Sequence, residues 1–212
     1  MWTRGVDTKL FSPTKRCPEW REALGIMDDE PVVLLVCRLV WEKALGLYAD
    51  VVNYLQERGV PHRSVVVGDG PAMAGLQALI PEAIFLGSLS GNELARAYAS
   101  SDVFLFPSHT ETFGITTLEA MASGLPVVVA NKNETAQPVV QHEVNGLLAP
   151  IGDTDQFTRY TERLLLDKDL RAEYGKAGRK RAEEEFQWGR SFTDLVSHYH
   201  EALANSPPGP FA

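Results

Sequence analysis

Cysteine is scarce in this chain, present only as Cys17 and Cys37, and neither has a second Cys or a His at metal-ligand spacing. That pattern excludes a disulfide framework and a cysteine-ligated metal site, and it fits reduced thiols in a cytosolic protein. Basic runs are missing as well, and the net charge is −8. The long-range field therefore repels nucleic acid and anionic membrane surfaces, so an anionic ligand has to be met by locally placed cations. No apolar run approaches the roughly 20 residues that a membrane-spanning helix needs. The opening residues lack the basic-then-apolar order of a signal peptide, and a soluble, cytoplasmic protein is expected.

What the chain has in quantity is short apolar runs separated by helical stretches. With 212 residues and 44% hydrophobic content it can build one sizeable core. Strands are expected at Val32 to Cys37, Ser64 to Gly68, Ala83 to Leu86, Asp102 to Phe106, Pro126 to Ala130 and Gly146 to Ala149, each short and rich in Val, Leu or Phe. Helices are expected over Ala44 to Arg58, Pro71 to Leu79, Gly91 to Ser100 and Ile115 to Ser123, with one more near Thr135 to Gln141. From Asp153 onward the chain turns helical and charged: Asp153 to Leu166, Asp169 to Glu185, then Trp188 to Ala204. Continuous apolar strands alternating with helices predict an α/β fold with a doubly wound parallel sheet, Rossmann-like, carrying a helical C-terminal extension. Gly5 to Pro13 reads as loop, with no strand or helix of the core. The division expected is a linker remnant over residues 1–13, the domain over 14–204 and a Pro-rich disordered tail over 205–212.

The most informative run is Glu111 to Glu119, where two carboxylates flank Thr112-Phe113-Gly114-Ile115-Thr116-Thr117-Leu118. It lies where the strand ending at Phe106 and Pro107 gives way to a helix. Gly114 lets the backbone pass close to a ligand, and the first-turn amides of Ile115, Thr116 and Thr117 have no acceptors within the helix. Free N–H groups at a helix start suit an anion. Arg38 and Lys43 follow the first strand directly, on the carboxyl edge where open α/β sheets gather their ligands. A guanidinium can hold two phosphate oxygens and an ammonium a third. No Asp-x-Asp pair follows a strand in the way a metal-bound diphosphate requires, and no metal is expected. Gly68 and Gly70 close the second strand, either as a plain tight turn or to let a ligand approach.

Together with Arg38 to Lys43, Val67 to Pro71, Ser101 to Ser108, Glu111 to Val128 and Asn145 to Leu148, this chain resembles the C-terminal, donor-binding domain of retaining glycosyltransferases of family 4, one half of a GT-B fold. The resemblance covers nearly the whole chain. It implies that Arg38 and Lys43 meet the diphosphate of a nucleotide-sugar donor, that Gly68 and Gly70 lie near nucleotide and sugar, and that the loop from Leu86 meets the base through backbone groups. It implies further that Glu119 accepts hydrogen bonds from the ribose hydroxyls, and that Glu111 faces the donor sugar and steadies positive charge at its anomeric carbon. By the same resemblance Phe113, Gly114, Ile115, Thr116 and Thr117 are expected to form the turn at the diphosphate. No cofactor beyond the nucleotide-sugar co-substrate is implied.

Two departures stand out. Relatives have Gly where Cys37 and Ala44 stand, changes that packing should absorb. After the fifth strand the family has a glycine-rich turn and a Glu, whereas here the run is Asn131-Lys132-Asn133-Glu134-Thr135-Ala136. The chain also starts at what resembles the linker following an acceptor domain, so the expected partner is that domain or a separate acceptor-binding chain. The expected function is glycosyl transfer with retention to a hydroxyl, in the class that puts mannose, glucose or sulfoquinovose on lipids, with the isolated domain inactive. The alternatives are a non-catalytic nucleotide-sugar-binding module and an epimerase acting on a nucleotide sugar.

Overall fold

The computed structural model describes residues 5–110, 113–131, 139–189 and 196–197. The apolar runs form six strands: β1 Val32–Val36, β2 Arg63–Val67, β3 Ile84–Phe85, β4 Val103–Phe106, β5 Val127–Asn131 and β6 Gly146–Pro150. The α-helices among the described residues are α1 Pro18–Ala23, α2 Leu45–Glu57, α3 Met73–Leu79, α4 Gly91–Ala99, α5 Ile115–Ala122, α6 Thr154–Leu166 and α7 Lys168–Glu185. Strand order is β3-β2-β1-β4-β5-β6, and every pairing is parallel, with Val32 opposite Arg63 and Phe104 opposite Val127.

Every residue of β1 and β4 is buried, as a sheet covered on both faces demands. Helix α2 packs on α3 and α6, whereas α4 packs on α5 and α5 on α7. Right-handed crossovers put these two groups on opposite faces, because the chain reverses direction along the sheet after β3. The order reverses between β1 and β4, so the loops leaving those strands splay apart and leave a crevice at their carboxyl ends. The architecture expected from the sequence is therefore present.

Three local features differ from expectation. Helix α1 was not foreseen, being a six-residue turn of mixed polarity. It carries Arg21, 2% exposed, which donates to Asp102 Oδ2 at 3.0 Å and to the carbonyls of Ser100 and Met27. Asp102 also accepts from Val32 N at 2.9 Å, so one carboxylate pins α1, β1 and β4 together. Second, the segment from Gly5 to Ser12 forms no strand or helix, yet it docks on the core: Val6 and Phe11 are buried, and Val6 N donates to Phe186 O at 2.7 Å. Arg179 of α7 clamps it, donating to the carbonyls of Thr8, Phe11 and Ala122. Third, β3 is shorter than expected, an edge strand whose residues are half-buried. The helices expected over Thr135 to Gln141 and Trp188 to Ala204, and the disordered tail, fall largely outside the described residues.

Candidate nucleotide-binding cleft

The crevice at the strand-order reversal is a cleft bordered by Cys37 and Arg38 after β1, Gly68 and Asp69 after β2, Ser88 and Leu89 after β3, and Thr116 and Glu119 on α5. Four residues singled out from sequence, Arg38, Gly68, Thr116 and Glu119, thus meet in one place. Arg38 is exposed, so its guanidinium is available to the opening of the cleft.

Lys43 ends a 3₁₀ turn over Trp41–Lys43 immediately after β1. Its ammonium donates to the Thr110 hydroxyl at 3.2 Å, which brings it onto the loop that leads to the Phe113-Gly114 bend. Thr110 is itself steadied by Ser108, hydroxyl to hydroxyl at 3.2 Å. Glu111, expected beside the sugar, and Thr112 lie outside the described residues.

Gly114 sits at the N-cap of α5 with φ 76 and ψ 47, a left-handed conformation that glycine adopts without a Cβ penalty. Among the described residues no side chain caps this helix. Helix starts leave their first-turn amides without intrahelical acceptors, and the macrodipole adds a partial positive charge there. Ile115 is half-buried, and Thr117 is fully buried. The Thr116 hydroxyl, at the cleft border, is buried without a hydrogen-bond partner, an arrangement that costs free energy until a ligand supplies one. Phe113 turns away from the cleft onto Phe186, ring centroids 6.3 Å apart.

The glycines after β2 serve close approach, but between backbones. A Cβ on Gly68 would lie 1.8 Å from Cys37 O, and one on Gly70 2.3 Å from Leu39 O. Leu39 N also donates to Asp69 O at 2.9 Å. The two loops thereby lock together, forming one wall of the cleft. Leu86 faces a neighbouring hollow with Trp20, Leu89, Glu93 and Arg96, and Leu89 is common to both hollows.

Glu119 is half-buried at the base of the cleft, and loss of hydration pushes its carboxyl up to about 7, an effect partly opposed by a hydrogen bond from Tyr98. Tyr98 was not legible as a site residue, because in Ala97-Tyr98-Ala99 it looks like any core position of α4. Ala44 corrects a second expectation. It sits at φ 55, so what glycine would relieve there is backbone strain rather than crowding. The altered run from Lys132 to Ala136 lies outside the described residues.

Among the described residues no group of His, Cys, Asp or Glu is arranged to hold a metal ion. Asp153-Thr154-Asp155 does follow β6, but Asp153 caps α6 by accepting from Gln156 N at 2.9 Å. Among the described residues no helix is long and apolar enough to cross a membrane.

The sequence family described as glycosyl transferases group 1 matches residues 17–181. A sulfoquinovosyl transferase of Arabidopsis thaliana is 37% identical over 207 residues, covering 95% of this chain and 40% of that protein. A GDP-mannose-dependent alpha-mannosyltransferase of Corynebacterium glutamicum is 34% identical over 209 residues, covering 97% of this chain and 48% of that protein. Among solved structures, sucrose-phosphate synthase from Thermosynechococcus elongatus superimposes with a TM-score of 0.82 at 27% identity, over 96% of this chain and 52% of that one. This chain thus spans about half the length of the relatives it matches, or less. The matched span runs from α1 into α7 and takes in every described wall of the cleft, so the crevice between β1 and β4 is that of a member of the glycosyl transferases group 1 family.

Proposed function

We propose that the chain is the donor-binding, C-terminal half of a retaining glycosyltransferase of family 4, working in a GT-B enzyme. A nucleotide-diphosphate sugar occupies the cleft. Arg38 and Lys43 pair with the diphosphate, and the amides of Ile115, Thr116 and Thr117 complete its binding at the bend made by Phe113 and Gly114. Glu119 accepts from the ribose hydroxyls, and the walls at Gly68, Gly70 and Leu86 flank the nucleoside. Glu111 faces the sugar.

Charge builds on the leaving diphosphate as the glycosidic bond stretches. Fixed cations and helix-start dipoles stabilise that charge more in the transition state than in the ground state, so no metal ion is needed in this reading. The sugar passes to a hydroxyl with its anomeric configuration kept. The names of the relatives favour a mannosyl or sulfoquinovosyl donor, and the wording of Cys37 to Lys43 and Glu111 to Gly114 favours a lipid acceptor. The acceptor surface belongs to a second domain or chain, so the 212 residues alone bind donor without turning it over, in the cytoplasm.

One observation carries this reading: Arg38, Gly68, Thr116 and Glu119 border a single cleft where the strand order reverses. A thermal-shift screen against UDP-, GDP- and ADP-sugars tests it. Stabilisation by one base class supports the reading, and no shift with any of the three contradicts it.

A further inference from the structure

Tyr98 is fully buried in α4, and its ring is held on two sides. Phe11, on the docked N-terminal segment, meets it edge-on at 5.7 Å and 82°. Phe104, in the middle of β4, lies at 5.8 Å. With the ring fixed, the phenol has one direction in which to point, and it donates to Glu119 Oε2 at 3.0 Å. Glu119 in turn borders the cleft. A fully buried phenol therefore reaches from the core to a carboxyl group at the edge of the cleft.

We propose that Tyr98 is the positioning residue for Glu119, orienting its carboxylate for the two ribose hydroxyls of the nucleotide and favouring its ionised form. This rests on the reading of the cleft as a nucleotide-sugar site. A carboxyl accepts from both hydroxyls of a vicinal diol, through charge-assisted bonds, when it is ionised and its plane is set, and one phenol proton serves both needs. It leaves the remaining lone pairs for the ligand and offsets part of the desolvation that works against the charge. The other charged groups bordering the cleft are Arg38, from the loop after β1, and Asp69, from the loop after β2. On the helix of Glu119 itself the neighbouring polar group is the uncharged Thr116.

The test is calorimetric titration of UDP and of GDP into this chain between pH 6 and 9, for wild type, Tyr98→Phe, Glu119→Gln and the double variant. Tyr98→Phe keeps the ring and its packing. At pH 7.5 it is expected to weaken binding about fivefold, because without the phenol more of the carboxyl carries its proton and its plane is no longer set, and to move the rise of affinity to higher pH. In the Glu119→Gln background the same change is expected to cost less than about twofold, the signature of two residues acting as one. A carboxyl NMR titration of Glu119 in the ligand-free protein should show the same upward displacement in Tyr98→Phe. Equal affinity and equal midpoint in wild type and Tyr98→Phe would overturn the role of Tyr98 while leaving the nucleotide site intact, as would an equal loss in both backgrounds. A wild type that binds neither nucleotide overturns the site itself and this role with it.

Discussion

Lys43 and Thr110 join the two loops that diverge at the strand-order reversal: the ammonium at the end of the turn after β1 donates to the hydroxyl beyond β4 at 3.2 Å. The contact places a cation beside the segment leading to the start of α5, where diphosphate is proposed to sit. Lys43→Ala should therefore weaken UDP or GDP about tenfold while leaving the parent nucleoside within about twofold, since a charged hydrogen bond contributes roughly 1.5–3 kcal/mol. Paired titrations of nucleotide and nucleoside measure the difference.

Ala44 carries φ 55 in a chain of L-residues, a conformation that costs about 1–2 kcal/mol. Ala44→Gly should stabilise the protein by about 1 kcal/mol, net of the extra freedom that glycine gives the unfolded chain. Urea denaturation reads the gain as a higher midpoint with an unchanged slope.

Gly68→Ala should do the reverse, because its Cβ would stand 1.8 Å from Cys37 O and φ there is +132. Backbone has to move to accept it. A loss of about 3 kcal/mol or more is expected, together with loss of nucleotide binding, because the cleft wall moves with the loop.

Glu119 makes stability depend on pH. Burial pushes its carboxyl up to about 7, against 4.5 for an exposed glutamate. The fold thus prefers the neutral acid, so the contribution is fully present below pH 4.5 and is lost as pH rises through 7. Without ligand, Glu119→Gln should be more stable than wild type at pH 8 by on the order of 2 kcal/mol and nearly equal to it at pH 4.5. Thermal denaturation at the two pH values checks the sign. A group kept for its charge at a cost in stability fits a binding role.

Arg179 holds the N-terminal segment by the carbonyls of Thr8 and Phe11 and ties it to Ala122 O of α5. Arg179→Ala should cost about 2–3 kcal/mol and raise amide exchange at Val6, whose N–H bonds to Phe186 O, more than at β1.

Much of this molecule is legible in its sequence because its strands are buried on both faces. A run such as Val32 to Val36 or Val103 to Phe106 has no polar side to confuse its period, so strand positions fall within a residue or two of those observed. Arg38, Thr116 and Glu119 could be placed because the carboxyl edge of a parallel sheet and the start of the following helix are fixed by chain order alone. What stayed hidden depends on contacts between distant positions. Arg21 looks like a surface charge until Asp102 faces it across 81 residues. Val6 and Phe11 look like loop residues until Arg179 ties their segment to α7. Tyr98 looks like core until its hydroxyl is seen to end on Glu119. The φ of Ala44 belongs to a turn whose type its own residues do not announce.

In the proposed function one cleft grips a nucleoside diphosphate from two sides, by Arg38 at the phosphates and Glu119 at the ribose. The decisive measurement is calorimetry of UDP, GDP and ADP, and of the parent nucleosides, with wild type, Arg38→Ala and Glu119→Ala. Arg38→Ala should lose affinity for the diphosphate far more than for the nucleoside, whereas Glu119→Ala should lose it for both. Equal affinities across all three proteins would contradict it.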